Sequence, residues 1–160
     1  MASKVKVAVL GTGSLGKEHV RIYAQLVTTR EADLVGLYDT NHEVARHIAA
    51  KNRTHAFEKI EAAIADADAV SIVTPTVTHF ELAKLCLQQG KHVLVEKPMT
   101  ENAEQATELV RLAQEKNCVL QVGHVRAEQV AERLAGLAPG GATEGHERVE
   151  RWLGEDFLAS

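Results

Sequence analysis

Val5-Lys6-Val7-Ala8-Val9-Leu10-Gly11-Thr12-Gly13-Ser14-Leu15-Gly16 is the stretch that decides the fold. Its first half is an apolar, β-branched run, the pattern of a buried strand. Its second half is Gly-x-Gly-x-x-Gly. Leu15, His19, Ile22, Tyr23 and Leu26 then recur at spacings of three and four and predict one helix face. Strand, glycine turn and helix are the context a dinucleotide-binding fingerprint requires. In that reading Gly11 permits the tight turn, Gly13 lets the backbone approach a pyrophosphate, and Gly16 lets the helix pack closely on the strand. The free N–H groups of the first helical turn then face the phosphates. An ordinary glycine-rich turn has the same local pattern, so the motif needs support from the rest of the chain.

Outward from this stretch, strand-like and helix-like segments alternate. That predicts an α/β fold, a Rossmann-like, doubly wound parallel sheet of about six strands with helices on both faces. Residues 32–38 read as the second strand. Thr40-x-x-Glu43 reads as a capping box opening a helix with Val44, Ala45, Ile48 and Ala49 inward. Residues 54–57 read as a short third strand and 69–74 as the fourth, stopped by Pro75. A helix from about Val77 to Gln89, carrying Leu82, Leu85 and Cys86, ends with Gly90 at C′. His92–Glu96 is the fifth strand, Asn102–Lys116 a long helix with Ala106, Leu109, Val110 and Ala113 inward, and Val119–Val122 the sixth strand. Past His124 the alternation stops. A helical pattern over 127–137 is broken by Pro139-Gly140-Gly141. The expected division is a dinucleotide-binding domain over 1–125 and a helical or irregular tail over 126–160.

The 160 residues are enough for one domain with a real core. The net charge is −4 with no basic block, and aromatic residues make up only 4 %, which speaks against nucleic-acid and membrane partners. Cys86 and Cys118 stand far apart and read as reduced, buried thiols. Met1-Ala2-Ser3-Lys4 runs straight into the first strand without a signal-peptide pattern, and the expected location is the cytoplasm. His42 and His47 are five apart, not the four that places two imidazoles on one helix face, so they predict no metal site.

Asp39 ends the second strand, where an acidic residue accepts hydrogen bonds from an adenosine ribose. A carboxylate there repels a 2′-phosphate, and Thr40, Asn41 and His42 supply no Arg, so NAD is favoured over NADP. An Asp before a helix also serves as a turn or cap residue. Thr74-Pro75-Thr76-Val77-Thr78-His79 and Glu96-Lys97-Pro98 fall on the same carboxyl edge of the sheet, where ligands bind in doubly wound folds. Lys97 is placed to put a proton or a positive charge beside a reacting hydroxyl, or else is a solvated strand-end lysine. Pro98 is a candidate for a cis peptide. His124 is placed to point at the same edge, whereas core or capping roles suit His19.

These pieces together resemble the N-terminal domain of the glucose–fructose oxidoreductase / inositol dehydrogenase / MocA family. The matching residues are Gly11-Thr12-Gly13-Ser14-Leu15-Gly16 with His19, Asp39, Thr74-Pro75-Thr76 with His79, Glu96-Lys97-Pro98, and Val122-Gly123-His124. The resemblance implies a hydride-transferring enzyme with a nicotinamide cofactor. It assigns cofactor contact to Gly11, Thr12, Gly13, Ser14, Leu15, Gly16, Asp39, Thr74, Pro75, Thr76, His79, Glu96 and Lys97. It also assigns proton transfer from a substrate hydroxyl to Lys97. Gln121 to His124 look most like members acting on nucleotide-linked amino sugars, such as UDP-N-acetylglucosamine 3-dehydrogenases.

The sequence departs from the family after His124, where Val125-Arg126-Ala127-Glu128-Gln129 replaces the usual Arg-Phe-Asn-Pro type of segment. No large second sheet is expected beyond it. The expectation is a chain that binds NAD but does not turn over a sugar or nucleotide sugar without a second domain. A non-catalytic dinucleotide-binding module, acting as a redox sensor or partner subunit, is the alternative. Uncovered apolar surface makes a homo-oligomer an open expectation. A methyltransferase shares the glycine turn and acid, but Glu96-Lys97-Pro98 argues against it.

Overall fold

The computed structural model describes residues 4–29 and 32–123. Five parallel strands, β1 (Val5–Leu10), β2 (Ala32–Tyr38), β3 (Ala69–Ile72), β4 (His92–Glu96) and β5 (Leu120–Gly123), form one sheet in the order β2-β1-β3-β4-β5. Each crossover carries helix: α1 (Gly16–Thr29), α2 (His42–Lys51), α3 (Ile60–Asp66), α4 (His79–Gln88) and α5 (Ala103–Glu115). The apolar run of β1 is explained by burial on both faces. Val7 and Val9 pack with α1 and α2, while Ala8 and Leu10 pack with α3, α4 and α5.

Among the described residues the sheet has five strands where the sequence predicts about six. Residues 54–57 are the missing one, reduced to an isolated parallel bridge between Ala56 and Leu37 on the outer side of β2. Leu37 donates its N–H to His55 at 2.9 Å and accepts from Phe57 at 2.9 Å. One register step earlier the ladder stops, because the Thr54 hydroxyl takes the Leu34 carbonyl at 3.0 Å. Counting this bridge as a strand restores the doubly wound order 3-2-1-4-5-6.

Four local expectations also change. Leu15 is 50 % exposed and lies before α1, whose buried stripe is His19, Val20, Tyr23 and Leu26. Val44 is 39 % exposed, leaving Ala45 and Ala49 as the inward positions of α2. The N-cap of α2 is Asn41, whose Oδ1 accepts from Val44 N at 3.1 Å, and not Thr40. Residues 76–78 form a separate short 3₁₀ turn ahead of α4. The end of α4 agrees with the sequence reading. Gly90 has φ of +72°, its N–H reaches Leu87 O at 2.9 Å, and Lys91 N reaches Cys86 O at 3.0 Å. Among the described residues no helix is long and apolar enough to cross a membrane.

Candidate functional site

The register sets the edge. Leu10 pairs with both Tyr38 and Ile72, and Ile72 pairs with Val95. The residues at the ends of these strands, Gly11, Asp39, Val73-Thr74 and Glu96-Lys97, therefore stand side by side on the carboxyl edge. The chain leaves β1 for β2 on one side and returns to β3 on the other. The crevice between these connections is where doubly wound folds hold ligands.

Each glycine of the turn solves a different problem. Gly11 has φ of +90°, a region that L-residues rarely adopt. A Cβ on it would stand 2.5 Å from the Val73 carbonyl oxygen, so the turn also needs the missing side chain for space. A Cβ on Gly16 would collide with the Gly11 carbonyl; Gly16 packs the helix start against the turn itself. Gly13 differs, for a Cβ there meets no atom of the described residues within 4 Å. Protein packing does not demand glycine at this position. Gly13, Ser14 and Leu15 are exposed, and among the described residues their N–H groups find no acceptor. Three amides at a helix start without an acceptor among the described residues, beside a glycine that no described neighbour requires, suit an anionic group approaching the backbone.

Asp39 faces this turn. Its Oδ2 accepts from both the backbone N–H and the hydroxyl of Thr12, each at 2.7 Å, and its Oδ1 accepts from Asn41 N at 2.8 Å. Burial opposes its ionisation. The N–H of Asn41, the hydroxyl and N–H of Thr12, and the Thr40 side chain outweigh that and hold the carboxyl below the usual carboxylate range. Thr12 is buried, so it orients the carboxylate from beneath. Asp39 thus serves as a turn former toward Asn41 and as a fixed negative charge beside the glycine turn.

At the end of β3 the Thr78 hydroxyl bridges the Thr74 hydroxyl and the Pro75 carbonyl, at 2.7 Å each. His79 is 1 % exposed, with Nδ1 at 2.8 Å from the Pro98 carbonyl and Nε2 at 2.8 Å from the Thr74 carbonyl. Its ring lies between the β3 and β4 loops, and because each carbonyl only accepts, each contact is a hydrogen bond where the facing ring nitrogen carries the proton. Thr76 is half-buried in the 3₁₀ turn. Lys97 is exposed and makes no hydrogen bond or ion pair among the described residues, and the Lys97–Pro98 peptide is cis. His124 lies outside the described residues.

Sequence reasoning missed a buried polar chain beneath this edge. His19 Nε2 lies 3.0 Å from Glu96 Oε1, His19 Nδ1 lies 2.9 Å from Ser71 Oγ, and Ser71 hydrogen-bonds the Tyr23 hydroxyl. A carboxylate only accepts, so Nε2–H donates to Glu96 and Nδ1 accepts from Ser71. The Ser71 oxygen then accepts from Tyr23. This Ser–His–Glu line is no nucleophilic site, because Ser71 is 0 % exposed. It ties α1 to the end of β4. The signal was present in the sequence: Ser71 is the one polar residue in an apolar strand, and a buried hydroxyl needs a partner. A Cβ on Gly123 would fall 2.6 Å from Glu96 Oε1, so Glu96 is enclosed by His19 and β5.

This chain makes the fold sensitive to acid. Burial pulls His19 below the ordinary histidine value, and the attraction of Glu96 only partly offsets it; burial also lowers His92. A depressed histidine binds its proton more readily in the unfolded chain. Its stability contribution is therefore complete above the unfolded value of about 6.5 and is lost as pH falls from there through the folded value. Urea unfolding between pH 7.5 and pH 5 is expected to show falling stability, with a shallower slope in His19→Gln. Equal slopes in the two proteins would remove His19 from the explanation. Burial likewise pushes the Cys86 thiol up to about 12 and raises Cys118, so both are poor nucleophiles.

Comparison with known proteins agrees with this geometry. The chain is 43 % identical over 122 residues to UDP-N-acetylglucosamine 3-dehydrogenase of Acidithiobacillus ferrooxidans, covering 76 % of this chain and 37 % of that protein. The solved structure of that enzyme, GnnA, superposes with a TM-score of 0.71 over 76 % of this chain and 38 % of its own. GenD2 from gentamicin A biosynthesis, solved in complex with NAD, is 28 % identical with a TM-score of 0.70, over 77 % of this chain and 35 % of its own. The scyllo-inositol 2-dehydrogenase (NADP(+)) IolW of Bacillus subtilis is 33 % identical over 124 residues, covering 76 % of this chain and 34 % of that protein. The chain thus spans little more than a third of the length of these relatives. Residues 5–124, with the glycine turn, Asp39 and Glu96-Lys97-Pro98 in one frame, match the family GFO_IDH_MocA, and the chain belongs to this oxidoreductase family with an NAD-binding Rossmann fold.

Proposed function

We propose that this chain is the cofactor-binding part of an NAD-dependent oxidoreductase that acts on a sugar-type or nucleotide-sugar hydroxyl. The observation that carries the reading is the mouth at Gly13. Among the described residues its amides find no acceptor and no atom fills the space of a Cβ, and the Asp39 carboxylate is locked beside it by Thr12. Diphosphate contact falls to the Gly11–Gly16 segment, with Thr12 and Gly16 shaping it and Gly13, Ser14 and Leu15 presenting amides. Asp39 takes the adenosine ribose and disfavours a 2′-phosphate. Thr74, Pro75 and Thr76 line the nicotinamide half. His79, with both ring nitrogens against backbone carbonyls, supports that half from below, and Glu96 leaves only Oε2 to face it, its Oε1 being held by His19. Bound NAD supplies the hydride acceptor. Lys97, exposed at the same edge and without a partner among the described residues, assists the proton transfer from the substrate hydroxyl.

Residues 1–125 serve as the dinucleotide-binding domain and 126–160 as a tail. The substrate pocket is supplied by a further domain. The length of the relatives supports this, as does the sugar chemistry in the names of the dehydrogenases of Acidithiobacillus and Bacillus.

Melting curves with NAD, NADP and S-adenosylmethionine test the cofactor. A ligand at 100 times its dissociation constant stabilises the fold by about 2.7 kcal/mol. The expected order is a large shift with NAD, a smaller one with NADP and none with the methyl donor. A shift with the methyl donor alone would overturn the reading.

A further inference from the structure

We infer that His19 and His79 are positioning residues that clamp the Glu96–Pro98 turn from opposite faces of the sheet and thereby fix where Lys97 stands. The inference rests on the cofactor and proton-transfer reading above. Its observation is different, namely the way the two residues flanking Lys97 are held.

His19 comes from α1, which packs with Val7 and Val9 on one face; His79 comes from α4, which packs with Val93 and Val95 on the other. His19 holds the residue before Lys97 through Glu96 Oε1 at 3.0 Å, with Gly123 enclosing the same carboxylate from β5. His79 holds the residue after it where an N–H on Nδ1 donates to the Pro98 carbonyl at 2.8 Å, while Nε2 stands 2.8 Å from the Thr74 carbonyl of the neighbouring loop. Both histidines are buried, at 8 % and 1 % exposure. Buried polar contacts are expensive to break, because each lost partner leaves a desolvated group unpaired. The exposed lysine between them has no partner of its own among the described residues. The direction in which it leaves the backbone is therefore set by its pinned neighbours, as a site held on rigid elements requires.

The ring nitrogens provide a discriminating set of variants. An Asn amide occupies the place of Nδ1 and a Gln amide that of Nε2. His19→Gln keeps the contact to Glu96 and His19→Asn loses it; His79→Asn keeps the contact to Pro98 and His79→Gln loses it. All four remain polar and close in size.

The first readout needs no ligand: the backbone order parameter of the Lys97 amide by nitrogen relaxation. The rigid value of about 0.85 is expected in the wild type, His19→Gln and His79→Asn, falling to about 0.6 in His19→Asn and His79→Gln, with Ser14 unchanged. The second readout compares dissociation constants for NADH and ADP-ribose. The two releasing variants are expected to weaken NADH about tenfold and ADP-ribose less than about twofold. Unchanged order at Lys97, or equal loss of both ligands in all four variants, would overturn the clamp. A wild type that binds neither ligand overturns the cofactor reading, and the relaxation result still decides the clamp.

Discussion

Gly11→Ala is expected to lose about 3 kcal/mol of stability or more, whereas Gly13→Ala keeps the fold and loses the ligand. The first loss has two sources. An alanine at φ of +90° is strained by about 1–3 kcal/mol, and its Cβ would sit 2.5 Å from the Val73 carbonyl oxygen, so backbone must move. That movement pulls β1 away from the β3 loop at the centre of the edge. Gly13 has no positive φ and no described neighbour within 4 Å of a built Cβ, so the stability of its alanine variant is expected to stay within about 1 kcal/mol of wild type. The added methyl projects into the space assigned to the diphosphate, and NAD affinity is expected to fall by about tenfold or more. Denaturant unfolding and NAD calorimetry on both variants check the contrast. Equal NAD affinity in Gly13→Ala and wild type would detach the turn from the ligand.

Asp39→Asn is expected to erode the preference for NAD over NADP. A carboxylate about 6 Å from a phosphate charge, at an effective dielectric of about 20, opposes it by about 3 kcal/mol, a factor on the order of 100. Removing the charge should narrow the ratio of NAD to NADP affinity by that order. The amide also places a donor against either Thr12 or Asn41, both of which donate to Asp39. An accompanying stability loss of about 1–2 kcal/mol is therefore expected. Thr12→Val should shift the ratio in the same direction by releasing the carboxylate, while Thr12→Ser should not. A ratio that stays at the wild-type value in Asp39→Asn would reduce Asp39 to a turn residue.

The legible part of the sequence was the part written in local pattern. An apolar β-branched run, three glycines and a helical period are contained within the opening stretch, and parallel order comes from alternation alone. Period counting failed where it had to choose sides. Leu15 and Val44 have the right spacing yet lie at helix starts, where the stripe opens to solvent. The third strand failed because Thr54 satisfies Leu34 with a hydroxyl in place of a ladder bond. Contacts across the sheet were beyond local reading. Thr12 meets Asp39 across 27 positions, and His19 meets Ser71 across 52. Such pairs are created by topology, and the sequence announces only that each buried polar group needs a partner. For the same reason the partners of His79, at both ring nitrogens, and of Glu96, at Oε1, were not legible in the sequence.

The most direct test tracks the backbone amides of the turn by nuclear magnetic resonance as NAD is added. If the glycine turn seats the diphosphate, the Gly13, Ser14 and Leu15 amides shift with saturation. Inorganic pyrophosphate then moves the same three resonances at higher concentration, while Asp39 and Thr12 respond to NAD but little to pyrophosphate. Saturable NAD binding that leaves all three amides unmoved would contradict this seat, because the dinucleotide would then be bound elsewhere on the molecule.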